Sequence, residues 1–160
     1  MLALLDGGRP VAFSYADLLE HHGGKSPAGV AHAYKVLERA LPLLGDAPPE
    51  RGELTVETAF GGPGARDAIE CVTGRRPVLD DRLALPERGR TLERFVFRVG
   101  HRGRTVTLRV REGFVPDELI DLARAEHRTA EQDARLDAVK RETAALVMGA
   151  PAEQVYDVAG

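Results

Sequence analysis

The hydrophobic residues of this chain change their spacing from one segment to the next, and this limits the folds that the chain can adopt. Residues 54–60 alternate apolar and polar side chains, which is the period of a strand with one buried face. Residues 95–99 and 105–110 are also rich in strand-forming residues. They are separated by a short segment around Gly103, so we predict a β-hairpin there.

Other segments place their apolar residues three or four positions apart, which is typical of helices that bury one face. Capping signals and glycines mark where these helices begin and end. The predicted helices run from Ser14 to about His22, from Pro27 to Leu44, from Ala65 to Thr73, and twice after Pro116, the last beginning at Thr129. Leu146 and Val147 end the apolar line of that last helix.

Helices that precede and follow a small, mostly antiparallel sheet predict an α+β fold. The composition is 43% hydrophobic and 29% charged, which is ordinary for one globular domain. We find no internal repeat and no low-complexity linker, so we expect residues 1–160 to form a single domain.

Charge and cysteine content narrow the classes of partner and compartment. The net charge is -3, and the arginines are dispersed among acidic residues, so we do not expect nucleic acid as a partner. Cys71 is the only cysteine, which rules out an internal disulfide and a cysteine-rich zinc site. The apolar run at the start is too short for a signal peptide or a membrane span, so we expect a cytoplasmic protein.

The first candidate site lies where two helices meet around Gly24. His22 ends one helix, while Lys25 and Ser26 begin the next. Free N–H groups at a helix N-terminus favour an anion. We expect the N–H groups of Gly29 and Val30, together with the charge of Lys25, to bind an anion here. A structural interpretation stays open, in which Ser26 is only an N-cap and the glycines only form a turn.

A second glycine-rich turn separates Glu57, on the predicted strand, from Asp67, on the predicted helix. Gly62 and Gly64 would allow a ligand to approach the backbone closely, although a tight turn explains them equally well. The two candidate segments lack the spacing of a nucleotide-binding P-loop or of a dinucleotide fingerprint, so we exclude both classes.

Residues 22–28 read His-Gly-Gly-Lys-Ser-Pro-Ala. They resemble the His-Gly-His-x-Cys-Pro-Gly motif of the FmdE-like family, which is named after a component of formylmethanofuran dehydrogenase. A family segment with Cys-x-x-Asp-Ala-Ile and a following Thr-Gly resembles residues 64–74. The similarity returns at residues 148–158 and covers most of the chain.

The resemblance implies an α+β fold, metal association and a homodimer. His22 matches the first motif histidine, and Asp67 matches the aspartate. Gly24 replaces the second histidine, while Ser26 and Gly64 stand where the family has cysteines. Neither replacement can supply a thiolate, so a soft transition-metal site is lost.

Three hypotheses follow from these residues. In the first, the protein binds a small anionic metabolite between the two glycine-rich turns, with acid–base or nucleophilic turnover by His22, Lys25, Ser26 and Glu57. In the second, it is a non-catalytic accessory or sensor protein that holds a divalent transition metal. The third is an interaction module whose last helix docks a second copy of the chain.

The metal hypothesis would combine His22 with Glu57, Asp67 or His32. His32 also has a structural interpretation, as a histidine on the helix surface or one that is partly buried with its hydrogen bonds satisfied.

Overall fold

The computed structural model describes residues 1–159, and in this part of the chain six α-helices accompany two β-sheets. In chain order the elements are β1 (Leu2–Asp6), β2 (Arg9–Phe13), α1 (Tyr15–His22), α2 (Pro27–Leu44), β3 (Leu54–Thr58), α3 (Pro63–Thr73), β4 (Val78–Leu79), β5 (Val96–His101), β6 (Arg104–Val110), α4 (Asp117–Arg124), α5 (Ala130–Met148), α6 (Ala152–Val155) and β7 (Tyr156–Val158).

The predicted α+β fold is confirmed. Within the described residues, five strands form the main sheet in the order β4-β3-β5-β6-β7. The pairs are antiparallel except for β3 with β4, which are parallel. The predicted hairpin is β5 and β6, in which Val99 lies opposite Val106.

Helix α2 is central to the core. It contacts α3 and α5 as well as strands β5 and β6, so most of its circumference is covered by protein. Val30, Val36 and Leu37 on this helix are completely buried. Although α2 is largely buried, no helix among residues 1–159 is both long enough and apolar enough to cross a bilayer.

Capping residues set the predicted helix ends. Ser14 and Asp17 form a complete capping box at the start of α1, and Thr129 and Gln132 form another at the start of α5. Gly23 ends α1 in the left-handed conformation, with φ of 91°. Helix α3 begins two residues before the prediction because proline is favoured in the first turn of a helix.

The two ends of the chain differ from the prediction. Strands β1 and β2 form a hairpin that was not predicted, and Gly7 and Gly8 make its turn with φ of 60° and 82°. The turn predicted after Pro151 contains α6 and β7 instead, and β7 pairs with β6. Leu146 was predicted to join the apolar line of α5, but it is 49% exposed.

Candidate functional site

The two glycine-rich segments meet where the first turns of α2 and α3 pack together. A Cβ atom placed on Gly64 would lie 2.4 Å from the Ser26 carbonyl oxygen, and one on Gly29 would lie 3.1 Å from the Ala65 nitrogen. Such distances leave no room for a side chain at Gly64. Gly64 therefore allows α2 and α3 to approach each other closely, and this brings Ser26 beside the second glycine-rich turn.

His22 and Asp67 form a partly buried pair next to this contact. The His22 Nδ1 atom lies 2.7 Å from Asp67 Oδ2, and the Ser26 backbone N–H donates to His22 Nε2 at 3.0 Å. Because Nε2 accepts a hydrogen bond, it carries no proton, and the proton lies on Nδ1 and is donated to Asp67. This hydrogen bond lowers the pKa of the Asp67 carboxyl group below its usual value.

The His22–Asp67 pair connects three helices around the two glycine-rich turns. It joins the end of α1 to α3, and it fixes the amide of Ser26 at the start of α2. The His22 side chain is only 5% exposed. Both of its ring nitrogens have partners, so action as a base or a metal ligand requires one of these hydrogen bonds to break.

Glu57 lies apart from this arrangement. Strand β3 directs Thr58 into the core, and the neighbouring side chain of Glu57 points to the opposite face of the sheet. There Glu57 Oε2 accepts from Arg98 Nη2 at 2.8 Å. The structure thus brings Asp67 to His22 and does not bring Glu57 there.

A metal centre has no ligand set in the described residues. Within residues 1–159, no group of three or more His, Cys, Asp or Glu side chains is arranged to hold a metal ion. The His22–Asp67 pair supplies two such side chains, and they bind each other. Neither Ser26 nor Gly64 offers a thiolate beside them.

The predicted anion site at the N-terminus of α2 is wrong in one respect. The Val30 N–H donates to the Ser26 carbonyl oxygen at 3.2 Å, which closes the first hydrogen-bonded turn of the helix. Val30 therefore has no free N–H for a ligand. Gly29 packs against Gly64 and Ala65.

An apolar cavity of about 280 Å³ opens beside Ser26, between the two glycine-rich turns and helices α4 and α5. Gly62 and Gly64 line it, and the apolar walls include Phe60, Phe95, Ile120, Ala123 and Leu136. The Phe60 and Phe95 rings are stacked, with centroids 4.2 Å apart. Ser26 also lines the cavity, and within the described residues its hydroxyl makes no capping hydrogen bond.

His32 forms part of the inner wall of this apolar cavity, and it is 1% exposed rather than on the surface or partly buried. Its Nε2–H donates to the Phe114 carbonyl oxygen at 3.0 Å, and its Nδ1 accepts from the Tyr156 hydroxyl at 2.9 Å. Burial lowers the pKa of His32 to about 4, so the ring is neutral near pH 7. His32 is thus a core residue with both nitrogens satisfied.

Three cations surround a second, more open cavity of about 440 Å³ that adjoins the first. Lys25, Lys140 and Arg141 line it together with Gly24 and Asp137. Lys140 lines both cavities, and its Nζ donates to the Lys25 carbonyl oxygen at 3.3 Å. In the part of the chain that the structure describes, none of the three cations has a carboxylate oxygen within 4.0 Å. We call these three residues the cation cluster.

The fold and these contacts define an α+β protein with an apolar cavity whose rim is positively charged. No protein-family model matches the chain, and no curated protein matches it.

Proposed function

We propose that this protein binds a small amphipathic anion, with the apolar part of the ligand in the apolar cavity and its charge near Lys140. The observation that carries the proposal is the position of Lys140, which lines both the apolar cavity and the cation cluster's own cavity. A ligand that spans the two would bury its apolar part and keep its charge beside a cation that has no carboxylate partner in the described residues.

The size of the apolar cavity limits the ligand. One water molecule takes up about 30 Å³ in the liquid. A cavity of about 280 Å³ therefore has room for about nine groups of that size. A short alkyl chain or a single ring fits this volume, and the stacked rings of Phe60 and Phe95 offer it an aromatic wall.

The proposal includes descent from the FmdE-like family. Ser26 and Gly64, at the positions of the family's cysteines, border the apolar cavity. Loss of the thiolates would thus have turned a metal-associated region into one suited to an organic ligand. A cytoplasmic location and a homodimer belong to the same proposal.

Turnover of the ligand is a second candidate function, and one contact favours it. Asp67 orients His22, and His22 Nε2 lies next to Ser26, as a nucleophilic serine requires. Catalysis would need Nε2 to exchange the Ser26 amide for the Ser26 hydroxyl, whose proton it would then accept. A fluorophosphonate probe tests this, since labelling should occur in the wild type and disappear in Ser26→Ala and His22→Ala.

Calorimetric titration with heptanoate and phenylacetate tests binding. Ala123→Phe should weaken both by at least about tenfold, because Ala123 lines the apolar cavity from the exposed side of α4. Ala134→Phe is the matched control, since Ala134 is exposed on α5 and is not part of the cavity wall. Lys140→Gln should weaken both anions by about twofold to fivefold.

Two results would contradict the proposal. One is that neither anion binds the wild-type protein at millimolar concentration. The other is that Ala123→Phe and Ala134→Phe bind the anions equally well, which would place any binding outside the apolar cavity.

A further inference from the structure

We infer that the charged group of the ligand is a phosphate monoester, held by Lys25, Lys140 and Arg141. This inference rests on the proposed function and names the class of ligand. It assigns the cavity of about 440 Å³ to the phosphate and the apolar cavity to the organic group that the phosphate carries.

The two cavities are placed to receive the two parts of one molecule. Ser26 lies on the wall of the apolar cavity, and its neighbours Lys25 and Pro27 lie on the wall of the charged one. Lys140 reaches from α5 to the Lys25 carbonyl oxygen and so stands between them. A ligand would therefore pass Ser26 and Lys140 on its way from one cavity to the other.

The charge of the cluster fits a phosphate better than a carboxylate. Three cations and one carboxylate, that of Asp137, line the charged cavity, although the whole chain carries a net charge of -3. A phosphate monoester carries a charge of about -1.5 to -2 at pH 7, whereas a carboxylate carries only one negative charge. The phosphate thus neutralises most of the excess, and the carboxylate leaves part of it.

Donor geometry supports the same choice. A phosphate monoester presents three terminal oxygens, and a lysine ammonium or an arginine guanidinium can donate to each of them. The Val30 N–H is already bonded within α2 and is not a donor to the phosphate, whereas the three side chains carry positive charge.

Calorimetry with hexyl phosphate and heptanoate separates the head group from the tail. The tails are similar, so a phosphate site predicts that hexyl phosphate binds about tenfold more tightly. Arg141→Gln should weaken hexyl phosphate about fivefold and heptanoate less than twofold. Arg104→Gln removes the same charge from the exposed start of β6, which lines neither cavity, and should change neither affinity.

Equal affinities for the two ligands, with no effect of Arg141→Gln, would overturn the phosphate assignment and leave the binding of amphipathic anions intact. Binding of inorganic phosphate as tightly as hexyl phosphate, unaffected by Ala123→Phe, would mean that the apolar cavity takes no part. That result would overturn the two-part ligand and the proposed function with it.

Discussion

Replacing Gly64 with alanine places a methyl group between the first turns of α2 and α3. The new Cβ would lie 2.4 Å from the Ser26 carbonyl oxygen, 3.0 Å from the Ser26 Cβ and 3.1 Å from the Val30 nitrogen. Two of these three atoms belong to the backbone, so a change of side-chain rotamer cannot relieve the contact. The two helices must separate instead.

The size of the effect follows from that separation. Real Cβ contacts are essentially never under 3.0 Å, so the shortest distance must grow from 2.4 to at least 3.0 Å, a shift of 0.6 Å. Overpacking of a dense core costs about 1–3 kcal/mol in the free energy of unfolding. For a domain of this size, that cost lowers the melting temperature by about 2–4 °C for each kcal/mol.

Chemical denaturation of Gly64→Ala and Gly52→Ala provides the assay. Gly52 is the matched control, since an added Cβ there meets nothing within 4 Å in the described part of the chain. We expect Gly64→Ala to lose about 1–3 kcal/mol and to bind heptanoate more weakly, and Gly52→Ala to do neither. Equal stabilities of the two variants would refute the view that Gly64 is needed for close helix packing.

Three further predictions concern the groups around the site. The folded-state pKa of Asp67 is lowered, so its carboxylate should stabilise the fold above about pH 4, and this contribution should be lost as the pH falls through the folded-state pKa. In urea unfolding, the free energies of wild type and Asp67→Asn should therefore differ more at pH 7 than at pH 2. Tyr156→Phe should cost about 1–3 kcal/mol, measured by denaturation, since His32 Nδ1 would lose its buried donor; an unchanged free energy of unfolding would contradict this. Elemental analysis of protein purified without an affinity metal should find no stoichiometric metal in wild type or His22→Ala; metal lost only in the variant would revive the metal hypothesis.

Sequence periodicity and capping signals predicted most of the fold. The helices α1, α2 and α5 begin or end at residues whose local chemistry requires it, and β3, β5 and β6 have clear strand patterns. The hairpin β1–β2 escaped because residues 2–5 are a continuous apolar run without strand alternation, and because the second strand contains Pro10. A two-stranded hairpin also depends on what it packs against more than on its own sequence.

The spatial arrangement of the candidate residues was predicted in part. His22, Ser26 and Asp67 are close in space as the two candidate segments indicated, although 45 residues separate His22 from Asp67. The sequence alone could have separated Glu57 from the other candidate residues, because its neighbour Thr58 is on the buried face of the strand. Successive side chains of a strand point to opposite faces, so Glu57 had to lie on the other face of the sheet from Thr58.

Lys140 could not have been found from local patterns. It follows Leu136 by one helical turn, so both lie on one face of α5, but nothing in the sequence shows what that face meets. Its contact with the Lys25 carbonyl oxygen joins residues that are 115 positions apart. Contacts of this kind arise only from the packing of α5 against α2.

An NMR titration of the isotopically labelled protein with heptanoate would locate a small anion bound between Ser26 and Lys140. We expect the largest amide shifts at residues around the apolar cavity, including Gly62, Ala123 and Leu136. Shifts confined to the outer face of the sheet near Arg98, or no saturable shifts at all, would contradict this expectation.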